Sequence, residues 1–266
     1  MHLKKLLVIP FVVACSVSLF SIHSQAKTYQ IGDKQVSASK LYKFKYYRAI
    51  RATKARVQFD DNSFKYIKIP KGTIVQGSKD NNEMGIMVEQ LNYSLFNQKR
   101  PKSKPYASYI GMQYFKNPKD FKKVPRPTYM PAYSSGRLFQ GKMLENALRR
   151  DTTFFHITSN GYVEYRKYPS GGQYKFNDKP THQVKIQRTK IHGSTRELFL
   201  NKKFSGLSFK KVKYQGKTQY RLDVVNMHKP FLTEGQSDDD IPSVYYSNYL
   251  VGGKKMYTEI ANSELM

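Results

Sequence analysis

From residue 151 onward the chain is a succession of short alternating segments joined by glycine turns, and that succession admits few folds. Residues 153–158 and 162–168 flank Ser159-Asn160-Gly161, and 183–191 and 196–200 flank His192-Gly193-Ser194. Residues 209–214 and 218–224 flank Gln215-Gly216-Lys217, and a last pair, 244–250 and 254–260, surrounds Gly252-Gly253. Glycine supplies the positive φ angles that tight hairpin turns demand, and such turns match the twist of paired strands. Consecutive hairpins satisfy one another's backbone groups in an antiparallel sheet, which then closes on itself or packs against a second sheet. The chain therefore reads as mostly β, in antiparallel small-barrel or sandwich modules.

The first half carries the same signature less regularly. Tyr42, Phe44 and Tyr46 alternate with polar residues in 42–48, as a strand would. Residues 55–59 and 64–69 flank the turn cluster Asp60-Asp61-Asn62-Ser63, and Pro70-Lys71-Gly72 leads into 73–76. Two longer β-rich runs, 85–96 and 106–115, follow. Pro101, Pro105, Pro118, Pro125, Pro127 and Pro131 then crowd one stretch. Proline has no amide donor and is expelled from central strands, so this stretch reads as connection. One short helix is predicted over 140–150, where Met143, Leu144, Ala147 and Leu148 share a face and Arg149-Arg150 suit its C-terminal end. The expected division is a 1–26 leader, a 27–48 polar lead, a 49–115 β module, a 116–150 Pro-rich connection with the helix, and a 151–266 β module with a Tyr-rich tail.

Residues 1–26 predict export. Lys4 and Lys5 precede an apolar run over 6–22, and Ser24-Gln25-Ala26 places small residues at −3 and −1. Pro10 and several serines break the run, which is shorter than the ~20 residues a spanning helix needs. Val12-Val13-Ala14-Cys15 also fits a lipidation signal, but apolar Val17, Leu19 and Phe20 follow it where a tether would be polar. Cleavage after Ala26 is the favoured reading. It removes the chain's one Cys, and with it disulfide and thiol chemistry. No later stretch is long and apolar enough to span a bilayer, and residues 260–266 carry no sorting signal. Retention at a cell surface would then fall to charge.

Charge is ample. Lys and Arg number 46 against 19 acids, a formal +27 spread along the chain, while 21 Tyr and 16 Phe supply core. Such a chain attracts polyanions over a Debye length of ~10 Å. Anionic wall polymer and nucleic acid are the candidate partners, and nucleic acid lacks a supporting motif. Basic and aromatic residues interleave at 42–48, 64–69, 162–168 and 209–221. The candidate polyanion-binding residues are Lys43, Lys45, Arg48, Lys65, Lys68, Arg166, Lys167, Lys210, Lys211, Lys213, Lys217 and Arg221.

Three stretches resemble known bacterial modules. Residues 69–77, Ile-Pro-Lys-Gly-Thr-Ile-Val-Gln-Gly, and 209–221, Phe-Lys-Lys-Val-Lys-Tyr-Gln-Gly-Lys-Thr-Gln-Tyr-Arg, resemble segments of bacterial SH3-like barrels. Residues 251–258, Val-Gly-Gly-Lys-Lys-Met-Tyr-Thr, are similar to tail segments of basic surface proteins of lactobacilli, including the S-layer attachment domain. The resemblance implies a Lactobacillus-type secreted envelope protein with SH3-like modules and wall-polymer binding, of the teichoic-acid kind. The chain has no Trp, so a Trp-lined peptide groove is not expected.

Catalytic patterns are sparse. Ser37-Ala38-Ser39-Lys40 has the spacing of a serine–lysine pair but lies in a polar lead, and Lys71-Gly72-Thr73 reverses the order its partner motif requires. His156, His182, His192 and His228 show no metal-ligand spacing, and Asp238-Asp239-Asp240 lacks that of a calcium loop. No cofactor or metal is expected. A glycan hydrolase needs only two carboxylates, and Glu145, Asp151, Glu164 and Glu197 are its candidates. The expectation is an exported, non-catalytic envelope protein that binds anionic wall polymers; the alternative is a secreted peptidoglycan hydrolase.

Overall fold

The computed structural model describes residues 28–31, 34–37, 39–58, 63–97, 112–115, 118–140, 153–167, 179–233 and 244–262. Their regular secondary structure is almost entirely antiparallel β, as the turn pattern predicts. Strands β1 (Thr28–Ile31) and β2 (Lys34–Ser37) form a separate hairpin.

A smaller unit follows. It contains β3 (Tyr46–Ala49), β4 (Thr53–Gln58), β5 (Phe64–Ile69), β6 (Ile74–Lys79), β7 (Met84–Met87), β8 (Met112–Phe115) and β9 (Phe121–Val124). Five of these strands run in the order β8-β7-β6-β3-β9, and β4 and β5 pair as a hairpin. The first strand of the sheet therefore pairs with the last, which follows a 3-10 turn at Pro118–Asp120. Alternate hairpin residues Ala55, Val57, Ile67 and Ile69 are fully buried with Tyr47, Ala49, Val75, Ile86 and Phe121. The unit draws strands from outside 49–115: β3 begins only at Tyr46, near the end of the alternating run 42–48, and β9 is a four-residue strand inside the stretch that its prolines marked as connection. The run 85–96 is a strand only to Met87; a 3-10 turn (Val88–Gln90) and the helix α1 (Tyr93–Phe96) complete it.

The larger unit is a closed barrel. Its strands are β10 (Arg137–Gln140), β11 (Phe154–Ile157), β12 (Tyr162–Arg166), β13 (His182–His192), β14 (Thr195–Leu200), β16 (Lys217–Thr233), β17 (Val244–Val251) and β18 (Lys254–Asn262); β15 (Lys210–Tyr214) is appended to β16. The order β14-β13-β12-β11-β10-β18-β17-β16 closes through the β14–β16 pairing. Closure removes the free edges that invite aggregation. The predicted hairpins are all present, with ends within a residue or two of their turns. Gln215 and Gly216 both adopt positive φ, 47° and 73°, as do Gly252 and Gly253, 50° and 83°. A Cβ on Gly252 would lie 2.8 Å from Leu222 Cδ1 and 2.9 Å from the Ser208 carbonyl, so only glycine fits.

Inward-facing Leu138, Phe155, Ile157, Val163, Val184, Leu198, Leu222, Val224 and Val251 fill the barrel. Eight strands leave an interior just wide enough for side chains. Tyr46 of β3 joins this cluster while its neighbour Tyr47 joins that of the small unit. Strand side chains alternate, so one strand serves two cores. The predicted helix falls mostly outside the described residues; Gln140 itself ends β10. Among the described residues no helix is long and apolar enough to cross a membrane.

Candidate functional site

The small unit carries an open, basic groove of about 650 Å³. Its floor is Tyr47 and Phe121, both almost fully buried, and Ile50 stands exposed at its side. Lysines rise around that floor from separate elements. Lys45 precedes β3, Lys79 ends β6, Lys119 sits in the 3-10 turn, and Lys122 and Lys123 lie on β9. All five are exposed. Pairing of β3 with β9 brings Tyr47 opposite Lys123 and Arg48 opposite Lys122, which is how residues distant in sequence converge.

Among the described residues the groove has one carboxylate, and it is already occupied. Asp80 Oδ1 accepts from the N–H groups of Asn82 (2.8 Å) and Glu83 (2.7 Å), and these bonds hold its carboxyl below the usual range. Asp120, close by, is buried and paired with Arg51. Lys79 Nζ donates to the Phe121 carbonyl at 2.8 Å, which anchors one ammonium beside the floor. The remaining charge is positive, mobile on flexible stems, and set over an apolar base. Such an arrangement suits phosphate or carboxylate groups, which ammonium ions meet as point charges.

The predicted polyanion-binding residues divide into groups. Lys45 lines the groove; Lys43 and Arg48 are exposed beside it in sequence. Lys68 is exposed and Lys65 half-buried on the β4–β5 hairpin. Lys167 is exposed at the end of β12, and Lys210, Lys211, Lys213 and Lys217 are exposed on the β15–β16 hairpin. Two arginines are engaged by internal acids. Arg166 is buried with Nη2 3.0 Å from Glu164, and Arg221 lies 2.8 Å from Glu197 and 3.0 Å from Asp223. The alternation of basic and aromatic residues could not separate a surface cation from one committed to an internal partner. Lys79, Lys119, Lys122 and Lys123 escaped the sequence reading. The signal for the last three, Lys119-Asp120-Phe121-Lys122-Lys123, lies inside the stretch that its prolines marked as connection.

A second polar cluster joins the two units. Glu164 Oε1 accepts from the Tyr93 N–H at 2.5 Å, and its Oε2 meets Arg166 (3.0 Å) and faces His156 Nδ1 (3.8 Å). The Gln90 amide donates to His156 Nε2 (3.1 Å) and the Ser135 carbonyl (2.8 Å), and accepts from Arg137 Nη2 (3.1 Å). The network therefore assigns the histidine proton to Nδ1. Burial pulls His156 down to about 4, only partly opposed by Glu164. Burial alone would raise Glu164, but His156, Arg166 and the Tyr93 amide outweigh it and hold the carboxyl low. Burial pushes Glu89 up, against Arg137 3.8 Å away. This cluster is a buried joint.

Two of the hydrolase candidates, Glu164 and Glu197, lie among the described residues, and both are engaged by internal cations. Glu164 stays ionised, the opposite of a general acid, and Glu197 is engaged by Arg221. Glu145, Asp151 and Asp238-Asp239-Asp240 lie outside the described residues. Ser37 Oγ is bound to Ser39 within its own turn. His182 Nε2 contacts Ser205 Oγ at 3.2 Å, while His192 and His228 are exposed. Among the described residues no group of His, Cys, Asp and Glu is placed to hold a metal ion. No family model, no curated protein and no solved structure matches this chain.

Proposed function

We propose that this chain is an exported, non-catalytic cell-envelope protein that binds anionic wall polymers of the teichoic-acid type. The observation that carries the reading is the groove: among the described residues, five lysines over an aromatic floor and a single carboxylate engaged by its own turn. A polymer with regularly spaced negative groups meets several ammonium groups at once, and each contact releases counterions. The +27 charge adds long-range attraction. The leader-like residues 1–26 support export, with cleavage after Ala26. Residues 69–77, which resemble a segment of SH3-like barrels, lie in the small unit, whose first strand pairs with its last.

The test is binding of purified wall teichoic acid and of polyphosphate across a salt series. The logarithm of affinity should fall linearly with the logarithm of salt. Replacing Lys119, Lys122 and Lys123 together by Gln should weaken binding about tenfold to a hundredfold and flatten the slope. Salt-independent binding, or an unchanged slope in the triple variant, would sink the reading.

A further inference from the structure

The β4–β5 hairpin presents two unlike faces. One holds the fully buried Ala55, Val57, Ile67 and Ile69. The other holds Lys54, Arg56, Phe64, Tyr66 and Lys68, all exposed. Phe64 is 50% and Tyr66 59% exposed, and among the described residues these are the most solvent-facing large aromatic rings. Registry explains the grouping: Lys54 pairs with Lys68, and Arg56 pairs with Tyr66. Neither strand contains an acidic residue. The rings meet at 83°, with centroids 5.5 Å apart, and the Arg56 guanidinium lies 5.0 Å from the Phe64 ring.

We infer that this outer face is a contact site for the sugar rings of an acidic polysaccharide. Two exposed aromatic rings held side by side are costly to leave in water unless something covers them. Their π faces attract positively polarised C–H groups, such as line one side of a pyranose. The near-perpendicular rings form a corner. A puckered sugar ring touches both walls of a corner, whereas a flat nucleic-acid base lies on only one. Lys54, Arg56 and Lys68 border the corner and suit carboxylate or phosphate groups on the same chain. The inference rests on the polyanion-binding reading and adds to it a preference for polymers that contain sugar.

Three probes of like charge separate the possibilities: polygalacturonate, sugar-free polyphosphate and single-stranded oligothymidylate. The variant Phe64→Ala/Tyr66→Ala leaves the buried face untouched, and its fold is checked by circular dichroism. Its affinity for polygalacturonate should drop about tenfold, with polyphosphate held within about twofold and the salt slope unchanged. Tyr66→Phe should bind as the parent does. An equal loss for polygalacturonate and polyphosphate, a larger loss for the oligonucleotide, or no loss at all would overturn the inference. The groove reading fails separately: its lysine variant would then bind polyphosphate like the parent, while the ring variant still loses polygalacturonate.

Discussion

Acidification should loosen the joint between the two units, through His156. The ring is buried, neutral and held between Gln90 and Glu164, with a value of about 4 against 6.5 for the free side chain. Between those values the unfolded chain binds a proton that the folded chain refuses. Stability therefore rises with pH across this window: it is complete above 6.5 and is lost as pH falls toward 4. The full contribution is about 3 kcal/mol, of which roughly 2 kcal/mol disappears between pH 7 and pH 4.5. Glu164, held low, adds its own loss only below its ordinary range, and Glu89, held high, runs the other way. A difference measurement separates them. Guanidinium unfolding followed by tyrosine emission, undisturbed since the chain has no Trp, is run at several pH values on the parent and on His156→Gln. The parent's stability should decline by about 2 kcal/mol more than the variant's from pH 7 to 4.5. Parallel pH profiles for the two proteins would refute the reasoning.

Further outcomes follow from the packing. Glu164→Gln leaves Arg166 buried without its counter-charge and should cost about 3–5 kcal/mol in the same unfolding assay, more than any surface carboxylate replacement. Gly252→Ala meets Leu222 and the Ser208 carbonyl at a positive φ and should lower stability by more than about 1 kcal/mol, whereas the same change at Gly216, where nothing lies within 4 Å, should cost less. Leu222→Ala, in the filled barrel, should cost about 2–5 kcal/mol by denaturant midpoint.

The barrel's hairpins were legible because each pairs local signals, an alternating run and a glycine turn, that require no knowledge of the rest of the chain. Its closure was not. The β14–β16 contact joins Thr195–Leu200 to residues 220–225 across an intervening hairpin, and nothing in either segment names the other. The groove was half visible for the same reason. Lys45 stands in an obvious aromatic-basic run, but Lys122 and Lys123 become its neighbours only when β3 pairs with β9. Arg166 shows the converse error. Its alternation with Tyr165 is that of a surface strand, yet Arg166 is buried, and its side chain is spent on Glu164. Burial from both sides turns a period of two into a pattern that no longer reports exposure.

Strand β3 commits Tyr46 to the barrel and Tyr47 to the smaller unit, two rings on consecutive residues pointing opposite ways. Neither half can come apart without stripping an aromatic anchor from the other. The molecule should then behave as a single melting body, with one heat-capacity peak, and a protease cutting between the halves would release no fragment able to stand alone.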